Sequence, residues 1–251
     1  MAEQVTRKSP PPKRLSEQLQ VGCQQCSLSE LCLPEGLSED EFARVEALIS
    51  KRRKVLRNRS LFHTSEPMEA IYAVKTGCFK NEVMSADGRT QVVGFSMAGE
   101  LLGLDGIGSG AHRCEAVALE DSEVCLIPFN QIEALAAQIP TLQRHLHRLL
   151  SREIVRDQGV IMMLGTMNAE ERLIAFLLNL SHRLSIRGYS PVDFYLRMSR
   201  EDISSLLGLT IETVSRAFTR LKEEGLIAVE KKHVRLLDPA ALKARLSTPV
   251  A

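Results

Sequence analysis

Residues 198–227 read MSREDISSLLGLTIETVSRAFTRLKEEGLI. Ser199, followed three residues on by Asp202, has the form of a capping box with Asp in place of the usual Glu or Gln, so a helix is expected to begin there. Ile203, Leu206 and Leu207 give it one apolar face, and Gly208 ends it. The turn is Gly-Leu-Thr. Thr210 then caps a second helix whose Val214, Phe218 and Leu221 share the inner side. Ile211, Glu212, Ser215, Arg216 and Thr219 are left on the outer surface. The following AVEKKHVRLL alternates like a β-wing. Two short helices about a glycine turn can be a plain helical hairpin. Here the cap, the turn, the exposed Glu-x-x-Ser-Arg run and the wing agree on a winged helix-turn-helix that reads DNA. An arginine can pair with O6 and N7 of guanine, and a glutamate can accept from N4 of cytosine. The hydroxyls of Thr210, Ser215 and Thr219 suit bases or phosphates. Arg220, Lys222, Lys231 and Lys232 suit phosphates, which position without specifying.

Working outward, the 251 residues exceed one typical domain of ~150, so a second domain is expected upstream. Two β-rich runs, AIYAVKTGCFKNEVM (70–84) and RTQVVGFSMAGELLGL (89–104), flank Asp87-Gly88, a strong hairpin signal. EAVALEDSEVCLIPF (115–129) continues the pattern of short strands, which predicts a β-barrel or jelly roll. From about residue 131 the period turns helical. Asn130 is a candidate cap for a short helix, and Pro140 suits the first turn of a long one reaching about Met167. Leu142, Leu146, Leu149, Val160 and Met163 form one stripe, expected to pack on the barrel. His147, Leu150, Ile154, Asp157, Ile161 and Leu164 form another at alternating spacings of three and four, the pattern of a two-stranded seam. These elements divide the chain into a polar, flexible tail (1–18), a sensor domain of cysteine loop and barrel (19–137), a dimerisation helix (138–167) and a winged helix-turn-helix domain (168–251), an α+β protein overall. The tail's Lys8, Lys13 and Arg14 leave a nucleic-acid-binding arm as its alternative role.

The net charge of +1 gives no global bias toward nucleic acid, so any DNA-binding surface must be local. No run of apolar residues is long enough to span a membrane, and the first twenty residues lack a signal-peptide core. The expected compartment is therefore the cytoplasm, where six cysteines are not a disulfide framework. Cys23, Cys26 and Cys32 lie within ten residues, as GCQQCSLSELC. Thiolates this close can share a metal centre. Structural zinc normally takes two such pairs, so an iron–sulfur cluster with one distant ligand fits the spacing better. Zinc and redox-active or inert thiols remain alternatives. On residues alone the distant ligand is Cys78, Cys114 or Cys125.

GCQQCSLSELC (22–32), FSMAGELLGLDGIGSGAHR (95–113), VCLIPF (124–129), REIVRDQGVI (152–161), NAEERLIAFLLNLS (168–181) and LGLTIETVSRAFTRL (207–221) together resemble the FNR-type branch of the cAMP receptor protein superfamily, the oxygen-sensing anaerobic regulators. The likeness runs from about Cys23 to about Leu237. It implies a [4Fe–4S] cluster on Cys23, Cys26, Cys32 and Cys125, with Cys78 and Cys114 structural. It matches Glu212, Ser215 and Arg216 to the base-reading trio, with palindromes of TTGAT-like half-sites as targets. It also implies a homodimer and an RNA polymerase contact on the hairpin turn, around Ser85, Asp87, Gly88 and Arg89. The superfamily's nucleotide segment reads Gly103-Leu104-Asp105 here, and its later phosphate-holding Arg-Ser reads Arg113-Cys114 with no hydroxyl. Cyclic nucleotide is therefore not expected. The implied activity is transcriptional control by oxygen; the alternative is a regulator of the same fold whose cysteines bind zinc or sense thiol oxidation. No nucleophile–base pair, phosphate loop or zinc-protease motif points to an enzyme.

Overall fold

The structure is a computed structural model that describes Cys23, Cys26, Leu28 and residues 32–49 and 51–246. The tail expected over residues 1–18 lies outside the described residues. Helix α1 (Glu39–Leu48) starts from a capping box between Ser38 and Glu41, with three acidic residues in its first turn.

Eight strands follow: β1 (Lys51–Val55), β2 (Ser60–Phe62), β3 (Ala70–Thr76), β4 (Cys78–Met84), β5 (Thr90–Met97), β6 (Leu101–Leu102), β7 (Glu115–Ala118) and β8 (Ser122–Pro128). They form two antiparallel four-stranded sheets, in the orders β1-β8-β3-β6 and β2-β7-β4-β5. The arrangement is a jelly roll of two facing sheets and not a closed barrel. Val55, Tyr72, Val74 and Val124 from one sheet meet Leu61, Phe62, Phe79, Ala116 and Ala118 from the other in a single apolar layer. The edge strand β1 carries Lys51, Arg52, Arg53 and Lys54, a run of charge that discourages pairing with another chain.

Helix α2 (Phe129–Ala136) does not use Asn130 as its cap. Pro128 holds the N-cap position, and the Phe129 amide is satisfied by the Glu69 carbonyl at 3.0 Å. The strand thus runs directly into the helix, two residues earlier than side-chain capping predicts. Helix α3 (Pro140–Thr166) begins with Pro140 in its first turn, as expected.

The chain ends in α4 (Ala169–Ile186), β9 (Asp193–Tyr195), α5 (Arg200–Leu207), α6 (Ile211–Glu223), β10 (Ile227–Glu230), β11 (His233–Leu236) and α7 (Pro239–Ala244). Asn168 and Glu171 cap α4 reciprocally, and the three strands pair in the order β10-β11-β9.

The core is divided unusually. Leu142, Leu146 and Leu149 of α3 pack with α1, α2 and the outer face of β3 and β8. Val160 and Met163 do not follow them onto that sheet. They join a second cluster in which Cys78, Val92, Phe95 and Met97 of the β4–β5 hairpin pack with the helices and wing of the C-terminal segment. Sensor and helix-turn-helix segments therefore share one apolar core.

Candidate functional site

Two regions carry chemistry. The first is where the cysteine loop meets the sheet. Cys125 sits in the middle of β8, opposite Arg52 on β1 and Ala73 on β3. Strand alternation sends Val124 to the inner layer and Cys125 to the outer face. There it packs, with Cys23 and Cys32, against the cluster of Leu33, Ile71, Ile127 and Leu142. Burial pushes the Cys23 thiol up to about 11, with Cys125, Glu46 and Cys26 adding to the rise. Burial likewise pushes Cys32 up to about 12, with Cys26, Cys125 and Cys23 contributing. Cys125 is raised by burial, partly offset by Arg52, with Cys26 again adding. For Cys23, Cys32 and Cys125, a second negative charge on a neighbouring thiol is thus penalised.

Among the described residues, no three His, Cys, Asp or Glu side chains are placed to hold one metal ion. The donors gathered on this apolar floor are all sulfur, the donor type that iron–sulfur clusters and structural zinc both take. His145 of α3, 8% exposed, lies with Nε2 3.2 Å from the Cys32 carbonyl. Burial lowers its pKa, the carbonyl bond raises it, and Arg148 and Arg152 add to the lowering.

The second region is α5–α6. Ser199 and Asp202 cap α5 reciprocally, Gly208 closes it at φ 61°, and the Thr210 hydroxyl accepts from the Thr213 amide. Val214, Phe218 and Leu221 are buried, while Glu212, Ser215, Arg216 and Thr219 are exposed along one side. The Glu212 carboxyl is held below the usual carboxylate range by its own backbone amide and by Thr210, with Arg216 adding to the effect. It is therefore an anion ready to accept. The Thr219 hydroxyl donates to the Ser215 carbonyl at 3.1 Å, and Lys222 is exposed. Arg220 is drawn to Glu170, 3.4 Å away.

Residues 171–245 match the model of the Crp-like helix-turn-helix domain, and residues 52–139 that of the cyclic nucleotide-binding domain. The chain is similar to the transcriptional regulatory protein btr of Bordetella pertussis, 44% identical over 88% of this chain and 91% of that one. It is 41% identical to the fumarate and nitrate reduction regulatory protein of Salmonella typhi, over 93% of this chain and 96% of that one. The chain belongs to the CRP/FNR superfamily of transcription regulators. Among solved structures of CRP/FNR type, FixK2 from Bradyrhizobium japonicum superposes with a TM-score of 0.73 at 29% identity, over 79% of this chain and 98% of that one. The function is DNA-binding regulation of transcription, not catalysis.

Other features of this CRP/FNR regulator follow from the same frame. On α3, Ile154 and Ile161 are 58% and 69% exposed, with His147 and Asp157 also exposed and Leu150 part-buried between them and the sheet side. Leu164 departs from the expected seam. It packs on the core shared with the C-terminal segment, beside Gly208, because the last turn of α3 is tied down by Arg172, which donates to the Leu164 and Leu207 carbonyls. The hairpin turn is exposed and locally braced. Gly88 adopts φ +85°, Ser85 and Arg89 close the turn through the backbone, and Arg89 Nε is 2.8 Å from Asp87.

The Asp105 carboxylate accepts from the amides of Arg113 and Cys114, at 2.5 and 3.0 Å. His112 is buried and stacked on Phe62, and His233 is paired with Asp193, so both histidines are structural.

Sequence reading missed Glu100. It lies between β5 and β6 with 15% of its side chain exposed, and Arg183 of α4 and Arg187, the C-cap of α4, both pair with it. Arg156 of α3 approaches to 4.0 Å and donates to the Phe95 carbonyl, as Arg183 also does. Lys80–Asp202, at 3.3 Å, and the Val92 amide on the Ser205 hydroxyl, at 2.9 Å, complete the bridge between hairpin and α5. An acidic residue inside an apolar loop and two arginines four apart on a helix were the available signals.

Replacing Arg216 by Ala is expected to weaken binding by roughly 1–3 kcal/mol per half-site and to relax specificity at one position in each half-site. Replacing Lys222 should weaken all sequences alike and lower the salt slope by about one. Binding isotherms on cognate and scrambled duplexes at several salt concentrations separate the two.

Proposed function

We propose that this regulator senses oxygen through a [4Fe–4S] cluster held by Cys23, Cys26, Cys32 and Cys125. In this reading the loaded chain is a homodimer on TTGAT-like palindromes under anaerobic conditions, and oxygen dismantles the cluster and releases the DNA. The observation that carries the reading is the gathering of loop and strand thiols on one apolar floor beside the start of α3. Relatives named for fumarate and nitrate reduction fit an anaerobic role. When bound, the group supplies an oxygen-labile cross-link between the cysteine loop and β8.

The chain's own residues do the rest. The loop, seated on Leu33 and Leu142, steadies the first turns of α3. The exposed Ile154 and Ile161 then bury each other across a two-fold axis, each Å² of apolar surface contributing ~25 cal/mol. Asp157 meets its own copy, and the two carboxylates oppose pairing by repulsion and lost hydration. The seam is therefore marginal, and a modest bias from the loop decides it. Paired chains place two copies of Glu212, Ser215 and Arg216 one helical turn apart on an operator, while a single chain has only half the contacts.

The Ser85–Arg89 turn, with Asp87 and Gly88, is the surface offered to RNA polymerase. Asp105 fills the amides a cyclic phosphate would need, which supports a sensor without cyclic nucleotide. Relatives named for fumarate and nitrate reduction favour the cluster over the zinc alternative. The working compartment is the cytoplasm.

The test is preparation of the protein without oxygen. A brown sample that carries iron and sulfide in equal amounts and bleaches in air is expected. A colourless sample, or one containing only zinc, overturns the proposal.

A further inference from the structure

Among the described residues, most of what joins the cysteine loop to α3 is apolar. Leu142 and Leu146 of the helix pack in the same cluster as Cys23, Cys32 and Cys125. Such contacts hold surfaces together but do not fix direction. One contact is directional. His145, on the second turn of α3 and 8% exposed, has Nε2 3.2 Å from the carbonyl oxygen of Cys32. A carbonyl only accepts, so Nε2 carries the proton and donates.

Rotating α3 about its axis, or lifting the loop, leaves this buried N–H without an acceptor, which the fold opposes. The helix is continuous from Pro140 to Thr166, so a rotation set at His145 is carried to Ile154, Asp157 and Ile161. We infer that His145 is the positioning residue that couples seating of the cysteine loop to the rotation of α3, and hence to pairing of the seam. This inference rests on the reading of the four thiols as cluster ligands. His145 is not itself a ligand, and its role is separable from iron retention.

The test compares wild type, His145→Leu and His145→Gln, each prepared without oxygen and again after air exposure. Iron and sulfide per chain and the monomer–dimer equilibrium by sedimentation are measured on every sample. Leucine keeps the packing and removes the donor, while glutamine keeps an amide donor. Expected is His145→Leu with wild-type iron and sulfide but a loaded dimer weakened about tenfold toward the air-exposed value, and His145→Gln largely restored.

Hydrogen exchange on the wild type gives a measurement that needs no variant. Residues 140–150 should exchange more slowly in the loaded than in the air-exposed protein. A His145→Leu protein that dimerises on loading as strongly as wild type overturns the inference. So does one that loses iron while His145→Gln keeps it, or equal exchange in the two wild-type states. A wild type that loads no iron fails with the reading beneath it and is recognised by its lack of colour.

Discussion

Purified without oxygen, Cys125→Ser is expected to retain essentially no iron or sulfide, while Cys78→Ala and Cys114→Ala retain the wild-type amounts. The three cysteines outside the loop differ in where their side chains go. Cys125 faces outward from β8 onto the floor that also carries Cys23 and Cys32. Cys78 is 2% exposed in the core beneath the hairpin, its thiol pushed up to about 12 by burial, and no loop cysteine reaches it. Cys114 is turned to the Asp105 carboxylate at 3.4 Å, where burial and that charge both resist a thiolate.

Serine preserves the shape of Cys125 but cannot supply a thiolate, so three sulfurs on a short loop would have no anchor in the sheet. A half-buried Cys→Ser change costs the fold about 1 kcal/mol or less. The variant should therefore melt close to the cluster-free wild type, and loss of iron will not be confused with loss of structure. Metal analysis and the visible spectrum read the result. Full iron in Cys125→Ser, or its loss in Cys114→Ala, removes the basis for the proposed ligand set.

The second large effect belongs to Glu100. Burial pushes its carboxyl up, but Arg183, Arg156 and Arg187 outweigh it and bring the pKa to about 2, from 4.5. Because the folded value is depressed, the stabilisation is fully present above the ordinary carboxylate range. It is lost as pH falls from about 4.5 toward 2. The shift corresponds to about 3 kcal/mol at neutral pH. Glu100→Gln leaves the arginines facing one another without a counter-charge, and breaking a buried pair in this way costs about 3–5 kcal/mol. For a chain of this size the melting temperature should fall by roughly 6–20 °C. The wild type should approach the variant's stability near pH 2. Calorimetry across pH measures both; a variant within 1 kcal/mol of wild type at pH 7 would falsify the role assigned to the carboxylate.

What could be read beforehand was what local chemistry dictates. The Ser199–Asp202 box, the Gly208 turn and the Thr210 cap each involve residues three or four apart, and all three stand as read. The Asp87-Gly88 hairpin is equally local. Contacts between distant segments were not legible. Nothing near Leu164 announces that Arg172 will fasten the end of α3 to Leu207, so a residue with perfect seam spacing turns inward. Glu100 was missed because its three arginine partners, on α3, on α4 and at the C-cap of α4, lie more than fifty residues away. His145 was not singled out, since its partner is a backbone carbonyl 113 residues distant.

The apolar mass under the β4–β5 hairpin has an evolutionary consequence. Cys78, Val92, Phe95 and Met97 are packed with the reading module as if they were part of it. Swapping that module between family members at the Met167–Asn168 boundary would strand greasy surface on both halves. A viable chimera must take the hairpin along. Since the same hairpin's tip is the surface proposed for polymerase, a new operator preference acquired by recombination would arrive with a new way of addressing the transcription machinery.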